Sequence, residues 1–161
     1  MFVMKAALCI VATVLVSFSV LIAGSRLGDV MRDEDEVSPF HEVMPDGGEF
    51  TSVAIDGLDE MIIEAYSSET GGYVFSLDAI GYYPHMMILC GIDADGTVTG
   101  AVCTESSESL GREYTYGDEF VGVSADSVDE VSLVTGATKT TKGYRKAISV
   151  ALEAFEILKE R

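Results

Sequence analysis

With 161 residues, 48% of them hydrophobic, the chain has material for one membrane segment and one domain with a core of ordinary size. Against 27 Asp and Glu it sets only 10 Lys and Arg, a formal charge of −17. That balance excludes a nucleic-acid binder, which needs clustered positive charge, and disfavours peripheral binding to anionic lipid.

Lys5 and Arg26 bracket an uncharged run, Ala6 to Ser25, dominated by Ala, Val, Leu, Ile and Phe. As a helix it spans about 30 Å, the hydrocarbon thickness of a bilayer. The apolar region of a cleavable signal is shorter, about 7–15 residues, and Ile22-Ala23-Gly24-Ser25 is a poor cleavage site, so a retained transmembrane helix is expected over residues 1–27. Lys5 on one flank and Arg26 and Arg32 on the other leave its orientation open. Residues 28–48 are charged, contain Pro39 and Pro45 and show no period, which suits a linker.

The domain proper is expected over residues 49–161. A strand starts near Met61-Ile62-Ile63 and runs through Tyr66, Ser67 to Gly72 form a turn, and Gly72 to Leu77 is a strand by its aromatic and β-branched content. The clearest unit is a hairpin: Met86 to Ile92, then Asp93-Ala94-Asp95-Gly96-Thr97, then Val98 to Cys103. Asp93, Asp95 and Thr97 also resemble the opening of a calcium loop, but the position that needs a bidentate acid falls on Thr104, so a plain turn is expected. Cys90 and Cys103 lie on the two strands of this hairpin, out of register, an arrangement that favours free thiols. With no Cys-x-x-Cys and only His41 and His85, nothing points to a structural zinc or iron–sulfur site. Nor do Gly-x-Ser-x-Gly or His-Glu-x-x-His accompany those histidines, which argues against a hydrolase.

Glu105 to Gly111 is a polar loop, and Tyr114, Tyr116, Phe120 and Val121 then supply core aromatics and an aliphatic. Val128 to Val134 is expected to be a short strand. It delivers the loop Thr135-Gly136-Ala137-Thr138-Lys139-Thr140-Thr141, which ends where a helix begins. From there Tyr144, Ile148, Ala151, Leu152, Phe155 and Leu158 recur at helical spacing, giving a helix over 142–160 with Thr138 to Thr141 just before it or in its first turn. Gly136 and Ala137 leave the backbone accessible, and a helix N-terminus presents free N–H groups and the positive end of its dipole, a setting suited to phosphate. By hydroxyl chemistry alone Thr135, Thr138, Thr140 and Thr141 are equivalent.

Thr135-Gly136-Ala137-Thr138 followed by a Thr pair and a C-terminal helix resembles the acceptor site of the FMN-binding domain family, known from subunits of Rnf-type and sodium-translocating membrane redox complexes. The order of segments is similar too: a Gly-Tyr pair at Gly81-Tyr82, the Asp-x-Asp-Gly hairpin, a loop ending in Leu110-Gly111, and Phe120-Val121-Gly122. The family usually carries Asp three residues before the motif, where this chain has Ser132, and a Pro in the loop that is missing here.

The resemblance implies an α+β fold, one N-terminal transmembrane helix followed by a small FMN-binding domain with an antiparallel sheet and a C-terminal helix. It implies FMN held by a phosphoester to Thr138, with Thr135, Gly136, Ala137, Glu108, Ser109, Leu110 and Gly111 around it. A separate flavin transferase attaches the cofactor, the N-terminus is cytoplasmic, and the flavin domain lies outside the cell membrane. The function implied is electron transfer among other subunits of an Rnf-type ion-translocating complex, rather than stand-alone catalysis. The competing expectation is a membrane-anchored, non-redox interaction module whose acidic extracytoplasmic face binds a partner.

Overall fold

In the computed structural model, which describes residues 38–161, five strands lie side by side in chain order in one sheet: β1 (Phe50–Val53), β2 (Ile62–Ser68), β3 (Tyr73–Ala79), β4 (Met86–Ile92) and β5 (Val98–Glu105). Every neighbouring pair is antiparallel, the arrangement that short connections between successive strands impose. The expected transmembrane helix lies outside the described residues. Among those described, no helix is long and apolar enough to cross a membrane.

The β4–β5 hairpin forms as its turn residues require. Gly96 takes φ 83°, and Asp93 Oδ1 accepts from the backbone N–H groups of Asp95 (3.0 Å) and Thr97 (2.9 Å). That carboxylate thus organises the turn itself. Cys90 pairs with Ala101 and Cys103 with Ile88, so the two thiols stand diagonally across the ladder, and both are free and buried. Burial pushes Cys90 up to about 12 and is the main cause of the rise of Cys103 to about 11, with Glu113 the next contributor.

One face of the sheet is covered by the long C-terminal helix, α2 (Thr138–Lys159). Its apolar stripe is buried as its spacing predicts: Tyr144, Ile148, Ala151, Leu152, Phe155 and Leu158 join Phe75, Leu77, Ile88, Cys90 and Ile92 in a single core. Tyr116 and Phe120 close one end of it, their rings against Tyr144 at 5.6 Å each.

Four segments differ from expectation. Of the residues at 114–121 expected in the core, Tyr116 and Phe120 are buried, whereas Tyr114 and Val121 are more than half exposed. Residues 39–44, within the expected linker, carry a short helix, α1 (Pro39–Val43), on the opposite face of the sheet. There Val43 and Met44 are buried with Val74 and Leu89, and the Thr99 hydroxyl donates to the Val43 carbonyl at 2.6 Å. Strand β1 has no counterpart in the sequence pattern, because its half-exposed residues show no apolar alternation. Conversely, Val128 to Val134 is not a strand. Val128–Glu130 is a 3₁₀ turn that ends at an extended Val131; Val128 is buried in the core, and Val131 and Val134, beyond the turn, pack against it partly buried.

Candidate functional site

The loop before α2 turns at Gly136, whose φ of 87° demands glycine although a side chain there would meet nothing within 4 Å. The small residue serves the turn, not a crowded approach. Helix α2 then starts at Thr138, and its N-cap, Ala137, has no side chain able to cap. The free N–H groups of the first turn keep the partial positive charge of the helix end.

The threonines, equivalent in sequence, part company here. Thr141 is buried, and its hydroxyl donates to the Ala137 carbonyl (3.0 Å) and accepts from the Val134 N–H (3.3 Å), which ties the loop to the helix. Thr140 is also buried, and its hydroxyl donates to Glu108 Oε2. Thr135 and Thr138 are exposed.

In front of the helix end lies an open cleft of about 350 Å³, lined by Gly136, Ala137, Thr138, Lys139 and Thr140 on one side and by Tyr82, Glu108, Ser109 and Leu110 on the other. Of the residues expected at a site, the fold brings Thr138, Gly136, Ala137, Glu108, Ser109 and Leu110 to one cleft. Thr135 and Gly111 are not part of its lining. Tyr82 and Lys139 are lining residues that the sequence did not single out as site residues, and Thr140, one of the four equivalent hydroxyls, lines the cleft too. Tyr82 left a trace in the Gly81-Tyr82 pair, an aromatic outside any strand alternation.

Two glycines allow the walls to meet. A Cβ on Gly143, one turn into α2, would lie 2.1 Å from the Ile80 carbonyl oxygen. A Cβ on Gly81 would lie 2.6 Å from Glu108 Oε1 and 3.2 Å from the Thr140 Cα. The 80–83 turn is therefore in direct contact with the first helical turn. Above it Tyr82 is 62% exposed, with Lys139 Nζ 4.9 Å from its ring centroid and the Tyr83 ring edge-on at 4.9 Å. Leu110 is 64% exposed, so the cleft mouth carries two large unburied apolar side chains beside a polar helix end.

Away from the cleft, His85 pairs with Asp78 at 2.9 Å beside β4 and is itself exposed. The Tyr144 hydroxyl and both carboxylate oxygens of buried Glu113 have no hydrogen-bond partner, and burial raises the Tyr144 phenol well above its ordinary range. Among the described residues, no group of three His, Cys, Asp or Glu side chains is placed to hold a metal ion.

An uncapped helix end beside exposed aromatic and aliphatic side chains, with one free hydroxyl at its first residue, is a setting for an aromatic nucleotide. Comparison with known proteins agrees: the family model for the FMN-binding domain matches residues 81–153, a segment that contains every residue lining the cleft. That segment is similar to the FMN-binding domain family. The chain is also similar to the G subunit of the Na(+)-translocating ferredoxin:NAD(+) oxidoreductase complex of Acetobacterium woodii, at 24% identity over 149 residues, covering 73% of this chain and 72% of that relative.

Proposed function

We propose that this chain is the flavin-carrying subunit of an Rnf-type membrane redox complex, with FMN joined through its phosphate to the Thr138 hydroxyl. The observation that carries the attachment site is the division among the threonines. Thr140 and Thr141 engage their hydroxyls inside the protein and are buried, Thr135 lies outside the cleft lining, and Thr138 is both exposed and part of it.

The residues fit the cofactor. The first-turn N–H groups and the dipole of α2 favour a phosphate at Thr138, and Lys139 adds positive charge beside it. Tyr82 and Leu110 offer apolar surface to a planar ring. The bound flavin supplies one- and two-electron chemistry, and the protein fixes its position and surroundings. Attachment forms a bond from Thr138 Oγ1 to the phosphorus of the FMN half of FAD, breaks the pyrophosphate and releases AMP; the hydroxyl proton leaves to solvent. A separate flavin transferase carries this out. The further subunits of such a complex supply donor and acceptor, and the run Ala6 to Ser25 anchors the chain in the membrane, N-terminus inside and flavin domain outside.

The test is intact mass after co-expression with a flavin transferase. The wild-type chain should gain the mass of FMN less water, and Thr138→Ala should gain none. Mass retained in the variant would move attachment to Thr135, and no gain in the wild type would overturn the covalent reading.

A further inference from the structure

The wall of the cleft opposite α2 is held by one side chain, Glu108. Its Oε1 accepts from the Tyr83 backbone N–H at 2.8 Å, and its Oε2 accepts from the Thr140 hydroxyl. The residue thus joins three segments far apart in sequence: the 105–111 loop, the 80–83 turn and the first turn of α2. The Glu108 N–H is itself fixed by the Ser106 hydroxyl at 2.9 Å. With both oxygens already accepting from the protein, the carboxylate is directed inward. It nevertheless lines the cleft, where its charge acts on whatever lies there.

We infer that Glu108 is a positioning residue that clamps the cleft shut at its base and, through its negative charge, sets the reduction potential of the flavin held there. The first half rests on the hydrogen bonds alone; the second rests on the reading that the cleft holds FMN. Two charge-assisted bonds hold the 80–83 turn, which carries Tyr82, against the first turn of the helix, which carries Thr138, so the two lining residues keep a fixed relation. A fixed anion in a wall partly shielded from water disfavours adding electrons to a neighbouring ring, so it lowers that ring's potential.

Glu108→Gln separates the two roles. The Gln oxygen can accept from the Tyr83 N–H, and its amide can donate to the Thr140 hydroxyl, which then acts as acceptor, so both bonds persist while the charge is removed. Glu108→Ala removes bonds and charge together, and Thr140→Val removes one bond but keeps the charge.

The clamp is read in the flavin-free full-length protein by amide hydrogen exchange at Tyr83. Exchange should quicken roughly tenfold in Glu108→Ala, in keeping with the loss of a bond to a charged group, and Glu108→Gln should restore protection. Unchanged exchange in Glu108→Ala would overturn the clamp. Should that variant fail to fold, slower exchange of the Tyr83 and Lys142 amides in wild type than in Thr140→Val decides the same point, and equal exchange overturns it.

The charge effect is read by redox titration of protein loaded with flavin by the transferase. Glu108→Gln should titrate at a more positive potential than wild type, and Thr140→Val should stay closer to wild type than Glu108→Gln does. Equal potentials for wild type and Glu108→Gln would overturn the electrostatic role. A wild type that takes up no flavin counts against the Thr138 reading and overturns the electrostatic role with it, while hydrogen exchange still decides the clamp.

Discussion

Replacing Gly143 by Ala sets two known effects against each other, and the geometry decides which one wins. In an open helix the change would help, since Gly costs about 1 kcal/mol relative to Ala within a helix. Here the added Cβ would lie 2.1 Å from the Ile80 carbonyl oxygen, 2.8 Å from the Ile80 carbonyl carbon and 3.2 Å from the Gly81 Cα. All three are backbone atoms, so no side chain can rotate out of the way and either the turn or the helix must shift. Overpacking of this kind costs roughly 1–3 kcal/mol, and the backbone nature of the clash puts it toward the upper end. The net expectation is a destabilisation of about 1–2 kcal/mol, the overpacking cost less the propensity gain. Urea unfolding followed by circular dichroism reads it as a lower midpoint with an unchanged slope. Because the 80–83 turn carries Tyr82, the variant should also load flavin more slowly. A Gly143→Ala protein as stable as wild type or more so would mean that the turn does not rest on the helix, and the cleft geometry built on that contact would fall with it.

Two further expectations follow from burial and from the apolar run. Cys90 and Cys103, pushed up to about 12 and about 11 from an ordinary 9.0, should resist a thiol reagent at pH 8 in the native protein and react only on unfolding. Because both folded values lie above the unfolded one, the stability tied to these thiols is fully present below pH 9 and is lost as pH rises through about 11 to 12, which an alkaline unfolding series checks. The full-length chain should stay with membranes after an alkaline wash while a chain starting near Met31 is soluble; a mature native protein beginning near Ser25 would instead show a cleaved signal.

What can be read in the sequence is what repeats along it. The stripe from Tyr144 to Leu158 and the Asp95-Gly96 hairpin carry their periods in consecutive residues, and both elements form as their patterns require. Strand β1 carries no such signal, because Phe50 and Val53 are only half-buried and the residues between them face water. The valines at 128, 131 and 134 suggest a strand by their β propensity, but the segment forms only a short 3₁₀ turn at Val128–Glu130 and pairs with no strand of the sheet. At the cleft, the motif at Thr135 to Thr141 marks the helix end, but nothing local distinguishes one hydroxyl from another. The distinction comes from contacts such as Thr140 with Glu108, 32 residues apart, which no local pattern encodes. Gly143 likewise looks in sequence like a weak point in a helix, and only the Ile80 carbonyl beside it explains its presence.

On the proposed attachment at Thr138, the phosphoester rather than the cleft would keep the cofactor in place. The cleft is open and, at about 350 Å³, sits at the small end of ligand pockets, which run from about 300 to 1,000 Å³. Its polar attraction for a phosphate comes from one helix end and Lys139, with the Glu108 carboxylate in the facing wall, on a protein whose formal charge is −17. Long-range repulsion of a dianionic nucleotide opposes what the helix end offers, and it grows as salt is lowered. Without the covalent bond, therefore, FMN should bind weakly and leave easily. Thr138→Ala protein incubated with FMN should emerge from gel filtration colourless, while wild type loaded by the transferase should keep its flavin fluorescence through a denaturing gel. Retention should improve somewhat at higher ionic strength in the variant, where screening weakens the repulsion, and be indifferent to salt in the wild type. A Thr138→Ala protein that carries a full equivalent of FMN through the column at low salt would show that the fold alone binds flavin tightly, and the tether would then need another reason to exist.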